Sequence, residues 1–324
     1  MNPMTIIVYC FILFSVVGTF LPYLDCSHWI VRGQSYFRAV YLGLNALLLV
    51  ITLIFLPFTW LTIAAILLLV AAIVACLISV LPFTPLNSIE VPFKDKKDAK
   101  NSLNILVFNV YQFNDQYQNL VDLVLRIDPD VVFLIETNTD WAKGVNALKK
   151  HFPYHFDEIR ENTYGLMFFT KRELLEGGIN YLVKPTIPSA EALLNIEGVK
   201  VRILGLHPKP PFPGEAETTH YKDRELAQAA RYFKAQKEDD HQILIGDLND
   251  VAWSRASLYY KKASGMKDPR VGRGFYSTFP TWFPIKIPLD HVFCSPGLEL
   301  IDFKVLEDIG SDHYPVNVEF HVPK

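Results

Sequence analysis

The chain has 324 residues, of which 50% are hydrophobic, and a formal net charge of −3. That length accommodates one large domain plus a smaller unit, and the charge balance argues against a protein built to grip bulk nucleic acid through a basic surface. Its four cysteines, Cys10, Cys26, Cys76 and Cys294, show no Cys-x-x-Cys spacing, which excludes that pattern of zinc binding and leaves them as packing residues.

Charge is placed unevenly. From Met1 to Ile89 only Asp25, Arg32 and Arg38 are charged, a net of plus one, so the remainder carries −4. Thr5–Leu24, Ala39–Leu56 and Trp60–Leu81 contain no Lys, Arg or Glu. A bilayer core of ~30 Å needs ~20 apolar residues in helical form, and each run is long enough. Pro57 opposes helix continuation between the second and third runs. Residues 1–82 therefore read as a membrane domain with three transmembrane helices, about 5–24, 39–56 and 60–81. A cleaved signal peptide is disfavoured because the first run lacks a basic start and a small-residue cleavage site. A soluble bundle would carry polar faces at helical spacing, which these runs lack. Arg32 and Arg38 in the first loop, with Lys94, Lys96, Lys97 and Lys100 after the third run, favour a cytoplasmic location for the C-terminal part of the chain.

Residues 83–102 contain prolines and then mixed charges, and read as a linker. Beyond it, residues 103–324 alternate short apolar runs with amphipathic stretches. Strands are expected at Leu103–Phe108, Val131–Ile135, Leu166–Phe169, Leu193–Ile196, Val201–Leu206, Gln242–Ile245, Leu289–Cys294 and Val316–His321. Helical spacing marks Tyr117–Ile127, stopped by Asp128-Pro129-Asp130, as well as Trp141–Phe152 and Glu215–Lys237. Such a mixture implies a layered α/β architecture with stacked sheets.

Several strands end in a polar residue. Taken singly, Asn109, Asn249 or Asp247 would pass for a turn or helix-capping residue, and His207 before Pro208 for a loop histidine. Together they form an ordered set: Asn109 in Leu-Val-Phe-Asn-Val, Glu136 in Phe-Leu-Ile-Glu-Thr, His207 in Leu-Gly-Leu-His-Pro, Gly246-Asp247-Leu248-Asn249, Leu289-Asp290-His291, and Gly310-Ser311-Asp312-His313. This set resembles the endonuclease/exonuclease/phosphatase superfamily, which includes proteins like DNase I, abasic-site endonucleases, sphingomyelinases and inositol-polyphosphate phosphatases. The resemblance runs from about Leu103 to Val322. It departs from the pattern at Thr170, where a serine is usual, and at His291, where many members have tyrosine. Most members also lack membrane spans.

The resemblance implies a four-layered α/β/β/α sandwich, here preceded by the bundle of three transmembrane helices. It implies Mg²⁺ or Mn²⁺ as cofactor, with Glu136 as leading metal ligand and Asp312 as a second carboxylate. Asp247 takes the place of the residue that orients or deprotonates water, and Asn109 and Asn249 position phosphate and carboxylate. His313 corresponds to a phosphate-contacting histidine paired with Asp290, and His207 to a second one that protonates the leaving oxygen. A hard divalent cation suits the chemistry, since phosphodiester hydrolysis is extremely slow unless charge on the transition-state oxygens is offset.

The expected protein is thus a multi-pass enzyme of a bacterial inner membrane, hydrolysing a lipid headgroup or small phosphoester. A tethered DNA or RNA nuclease is the main alternative, and a non-catalytic scaffold a third. The bilayer and a phosphoester are its expected partners, with no obligate protein partner evident. His291 is placed beside the site. His28, His151, His155, His220, His241 and His321 read as surface or packing residues, and Trp282 and Phe283 as a substrate rim.

Overall fold

The computed structural model describes residues 3–236 and 239–324. Three N-terminal helices, α1 (Pro3–Phe20), α3 (Arg38–Phe55) and α4 (Trp60–Val80), belong to segments long and apolar enough to cross a membrane. A short helix α2 (Trp29–Gly33) sits between the first two. The bundle is apolar on the outside, with Leu13, Phe14, Ile54, Phe55 and Leu67 all exposed, while its interior holds polar side chains. Ser15 Oγ donates to Asn45 Oδ1 (2.7 Å), and Asn45 Nδ2 donates to Thr19 Oγ1 (3.0 Å). Inter-helix hydrogen bonds among small polar residues suit a lipid setting, where water offers no competing partner.

The remaining chain folds as two sheets. One has the order β10-β11-β1-β2-β4-β3, built from β1 (Ser102–Asn109), β2 (Val131–Ile135), β3 (Tyr154–Glu158), β4 (Leu166–Thr170), β10 (Glu299–Val305) and β11 (Val316–His321). The other has the order β5-β6-β7-β8-β9, from β5 (Glu173–Asn180), β6 (Ser189–Ile196), β7 (Val199–Gly205), β8 (His241–Asp247) and β9 (Asp290–Cys294). Successive side chains of a strand face opposite ways, and the core divides accordingly. Leu103, Ile105 and Val107 of β1 meet Val201, Ile203, Ile243 and Ile245 of β7 and β8 between the sheets. Leu106 and Phe108 instead face α5 (Tyr117–Ile127) and α6 (Thr139–Gly144) through Leu120, Val124 and Trp141. Leu204 and Leu244 face α7 (His220–Ala235) and α8 (Arg255–Ser264) through Leu226, Phe233 and Tyr260. The result is the expected four-layered α/β/β/α sandwich.

Two predicted helices are shorter than expected. Trp141–Phe152 resolves into α6 and a 3₁₀ turn at Asn146–Lys150. The break falls at Gly144, which packs so closely on Tyr117 that an added Cβ would lie 2.3 Å from its ring. The helix predicted over Glu215–Lys237 starts only at His220, because its first residues pair with the loop after α1. There Trp29 N donates to Glu217 O (3.0 Å) and Thr219 N to Ser27 O (2.9 Å). Lys237 lies outside the described residues. Strands β3, β5 and β10 and helix α2 have no counterpart among the predicted elements. The 83–102 segment is tacked to the domain, with Val91 buried in the inter-sheet core and Lys94 N bonded to Leu300 O (2.8 Å).

Helix α7 carries a buried acid. Glu225 is 2% exposed, its Oε1 accepts no hydrogen bond among the described residues, and burial pushes its pKa up to about 8. A raised folded pKa means native Glu225 keeps its proton over a range where the unfolded chain, titrating near ~4.3, has lost it. Its contribution to stability is therefore complete below ~4.3 and is lost as pH rises toward 8, costing up to about 5 kcal/mol above it. Glu225→Gln is expected to melt with the wild type near about pH 4 and well above it at about pH 9. Thermal unfolding of the detergent-solubilised chain at both pH values checks this, and parallel melting temperatures would refute it.

Candidate active site

Parallel and antiparallel pairing together bring the polar tips to one edge. Strand β1 is parallel to β2, and β7 to β8, so each pair's carboxyl ends point the same way, and the contacts of Asn109 with Asp247 and of His207 with Glu136 put both pairs of ends together. They carry Asn109, Glu136, His207 and Asp247. Strands β9 and β11 run antiparallel to β8 and β1, so their beginnings lie on that edge and bring Asp290 and the Ser311–His313 turn. Asp247 and Asp290 are register partners.

The backbone is special at these tips. Glu136 (φ 66°), Tyr111 (φ 57°) and Asn249 (φ 48°) are non-glycine residues in the left-handed region, a conformation that persists only where the surroundings enforce it. Gly246 has φ 135°, and an added Cβ would lie 2.0 Å from the Leu206 carbonyl oxygen, so only glycine lets β8 pass Leu206 and present Asp247.

Asp247 is 1% exposed and central. Its Oδ1 accepts from Asn249 N (2.8 Å) and its Oδ2 from Asn109 Nδ2 (3.1 Å). The same Asn109 amide donates to Glu136 Oε1 (2.9 Å), tying the two carboxylates together. His313 Nε2 lies 3.5 Å and His207 Nδ1 3.8 Å from Asp247 Oδ2, while His207 Nε2 is 3.6 Å from Glu136 Oε1. On its other side His313 Nδ1 meets Asp290 Oδ2 at 2.8 Å. Ser311 Oγ donates to Asn109 O (2.8 Å) and accepts from His313 N (3.0 Å), clamping this turn to the end of β1. Asn249 directs its side chain away, with Nδ2 donating to Pro208 O (3.0 Å), and so joins the β8 loop to the loop carrying His207.

The electrostatics follow from burial and these neighbours. Burial alone would lower the pKa of His313, but Asp290, Asp247 and Asp312 surround it and push it up to about 10. Asp290 is held below the ordinary carboxylate range: burial works against this, and His313 overcomes it. Burial pushes Glu136 up, His207 and Asn109 oppose this, and Asp312 adds to the rise. Asp312 is also raised, first by burial and then by Asp247, with His313 opposing.

Glu136 and Asp312 thus carry carboxylates that resist ionisation where they stand, and a hard cation accepting oxygen ligands would reverse that penalty. The donor set fits such an ion. Asp247, Asp290 and His313 also bring ligand atoms within 4.8 Å of one another. In that cluster His313 Nδ1 and Asp290 Oδ2 already hydrogen-bond each other, which occupies one atom of each residue. Glu136 and Asp312, which act on each other electrostatically, offer carboxylate oxygens, the donor type a hard divalent cation prefers.

A supporting layer behind the site gave no sequence signal. Arg270, fully buried, pairs with Asp268 (2.8 Å), donates to Asp290 O (3.1 Å) and donates through Nη2 to His291 Nδ1 (2.8 Å). Burial, and then Arg270, push His291 down to about 3, so its Nε2 keeps the hydrogen that it donates to Asp250 O (2.8 Å). His291 is thus held between Arg270 and Asp250. Lys222, 2% exposed, pairs with Asp250 at 2.6 Å. Trp282 and Phe283 are exposed next to Thr281, whose backbone N donates to Asp312 O (2.9 Å).

The model of the endonuclease/exonuclease/phosphatase family matches residues 102–313. No curated protein matches the chain. Among solved structures, the fold is similar to an endonuclease/exonuclease/phosphatase from Bacteroides vulgatus (TM-score 0.57, 14% identity, covering 69% of this chain and 100% of that one). It is similar to D. rerio TDP2 complexed with single strand DNA product (TM-score 0.56, 16% identity, 68% and 99%). It is also similar to a mannosyl-6-phosphatase from Bacteroides thetaiotaomicron (TM-score 0.53, 16% identity, 67% and 99%).

Proposed function

The chain belongs to the endonuclease/exonuclease/phosphatase family, and from that premise we propose a membrane-anchored, divalent-metal-dependent phosphoesterase that hydrolyses a lipid headgroup or small phosphoester by in-line attack of water. The observation that carries this reading is the position of Asp247, buried and within reach of Asn109, His207 and His313 at once. Asp247 takes a proton from the attacking water as the new P–O bond forms. Asn109 holds Asp247 and Glu136 at a fixed separation, which keeps the base aligned. His313, positively charged beside Asp290 and Asp247, binds the phosphate oxygens as they gain charge. His207 returns a proton to the leaving oxygen as its bond to phosphorus breaks. Glu136, with Asp312, would hold the metal, which supplies charge compensation for the phosphate.

Tethering favours a substrate in the same bilayer, because a fixed site meets such molecules at high effective concentration. The acidic balance of the domain points the same way, against a polyanion held by many phosphate contacts. The second reading, a tethered nuclease, is favoured by the single strand DNA product bound to the similar TDP2 structure. The loop after α1 and the segment after α4 both lie against the catalytic domain, so this face of the bundle shares its side of the membrane. Arg32, Arg38 and the lysines after α4 favour the cytoplasm for that side.

The detergent-solubilised chain is expected to hydrolyse bis-(p-nitrophenyl) phosphate with Mg²⁺ or Mn²⁺, to stop on addition of EDTA, and to recover when metal is returned. Turnover indifferent to the chelator would remove the metal from the mechanism. Phospholipid vesicles and plasmid DNA offered side by side separate the two substrate readings, and robust nicking with no lipid turnover would put the nuclease first. A reporter fused after Lys324 tests sidedness.

A further inference from the structure

The membrane unit reaches the catalytic loop directly. Between α2 and α3 the chain makes a 3₁₀ turn, Gln34–Phe37, and from it Tyr36 Oη donates to the carbonyl oxygen of Asn249 at 2.7 Å. Asn249 belongs to the turn that presents Asp247, holds φ at 48°, and gives its backbone N–H to Asp247 Oδ1. One residue in a disfavoured conformation therefore links a transmembrane connector to the central carboxylate. Lys222 Nζ donates to the same carbonyl at 3.3 Å.

Two further contacts show that this junction is built. Trp253 Nε1 donates to Ser35 O (2.8 Å), fastening the 3₁₀ turn to the loop after β8. Phe83, just after α4, packs edge-on against Trp253 (ring centroids 5.6 Å apart) within a buried cluster that includes Val251, Ala252 and Leu289. Phe279 packs on that cluster, and its ring lies 4.8 Å from that of His313. Two connectors at the same end of the bundle thus back the active site, one at the Asp247 turn and one behind His313.

We propose that the Gln34–Phe37 turn is part of the catalytic architecture, with Tyr36 a positioning residue that holds Asn249, and through it Asp247, in working geometry. The consequence is that the membrane domain is required for full turnover and is more than a tether. This rests on the phosphoesterase reading above. A left-handed asparagine whose carbonyl loses its strongest neutral donor gains freedom to relax, and a small displacement of a general base is costly in rate.

The test uses the full chain in detergent with Tyr36→Phe, which removes one oxygen and keeps the ring. The expected result is kcat lowered about 10-fold with KM for bis-(p-nitrophenyl) phosphate unchanged, and faster amide hydrogen exchange at Leu248–Asp250. Wild-type kcat, a loss confined to KM, or unchanged exchange would each overturn the proposal. Should that variant fail to accumulate, Trp253→Phe, which removes the Ser35 contact while keeping an apolar ring, carries the same expectations. A wild-type chain inactive toward the phosphoester would sink the assigned function instead, and the exchange comparison would then decide the positioning contact by itself.

Discussion

Asp247→Asn is expected to lower kcat by about 10³-fold or more while leaving the protein folded. The side chain keeps its shape, and its remaining oxygen still accepts from Asn249 N. What it loses is basicity, together with the acceptor atom that Asn109 Nδ2 needs at 3.1 Å. A new amide nitrogen at Oδ2 would place donor against donor at Asn109 and next to the His313 cation. Stability should not suffer in proportion, because Asp247 stands among Glu136, Asp290 and Asp312, and removing one negative charge relieves their repulsion. Turnover of bis-(p-nitrophenyl) phosphate, measured beside the melting temperature, separates the two effects. A rate within tenfold of wild type would deny Asp247 the role of base.

Asp290→Asn is expected to cost about 10³-fold in kcat with little change in KM. Asp290 is 2% exposed and meets His313 Nδ1 at 2.8 Å. The carboxylate accepts only, so Nδ1 must carry hydrogen and the ring is held with Nε2 facing Asp247. An asparagine presenting its amide nitrogen would favour the opposite tautomer and remove the charge that sustains the imidazolium. Because the two residues act as one unit, Asp290→Asn combined with His313→Ala should be scarcely worse than His313→Ala alone. Costs that simply multiply in the double variant would show that the pair acts through separate routes.

Much of this protein is legible in its chain of residues alone. The three N-terminal helices stand out because a segment able to cross a bilayer has little choice: it has to be long, apolar and uncharged. Helix α5 and strand β2 emerge with their predicted limits, since clear periodicity ends at Asp128, a left-handed C-cap. The strands that escape prediction, β3, β5 and β10, all lie at sheet edges. An edge strand buries less of itself and alternates weakly, and its conformation is decided by the neighbour it pairs with. Leu174-Leu175-Glu176-Gly177-Gly178 is a strand because β6 lies beside it.

The site divides along the same line. The residue types and their order, Asn109, Glu136, His207, Asp247, Asp290 and His313, are local facts about strand ends, and sequence alone determined them. Distance was beyond its reach. That Asn109 bridges two carboxylates, that Arg270 braces His291, and that Tyr36 touches a residue 213 positions away depend on which strands run parallel and which helices pack where. Those outcomes come from burying apolar faces across the whole chain, a cooperative property that no short segment carries.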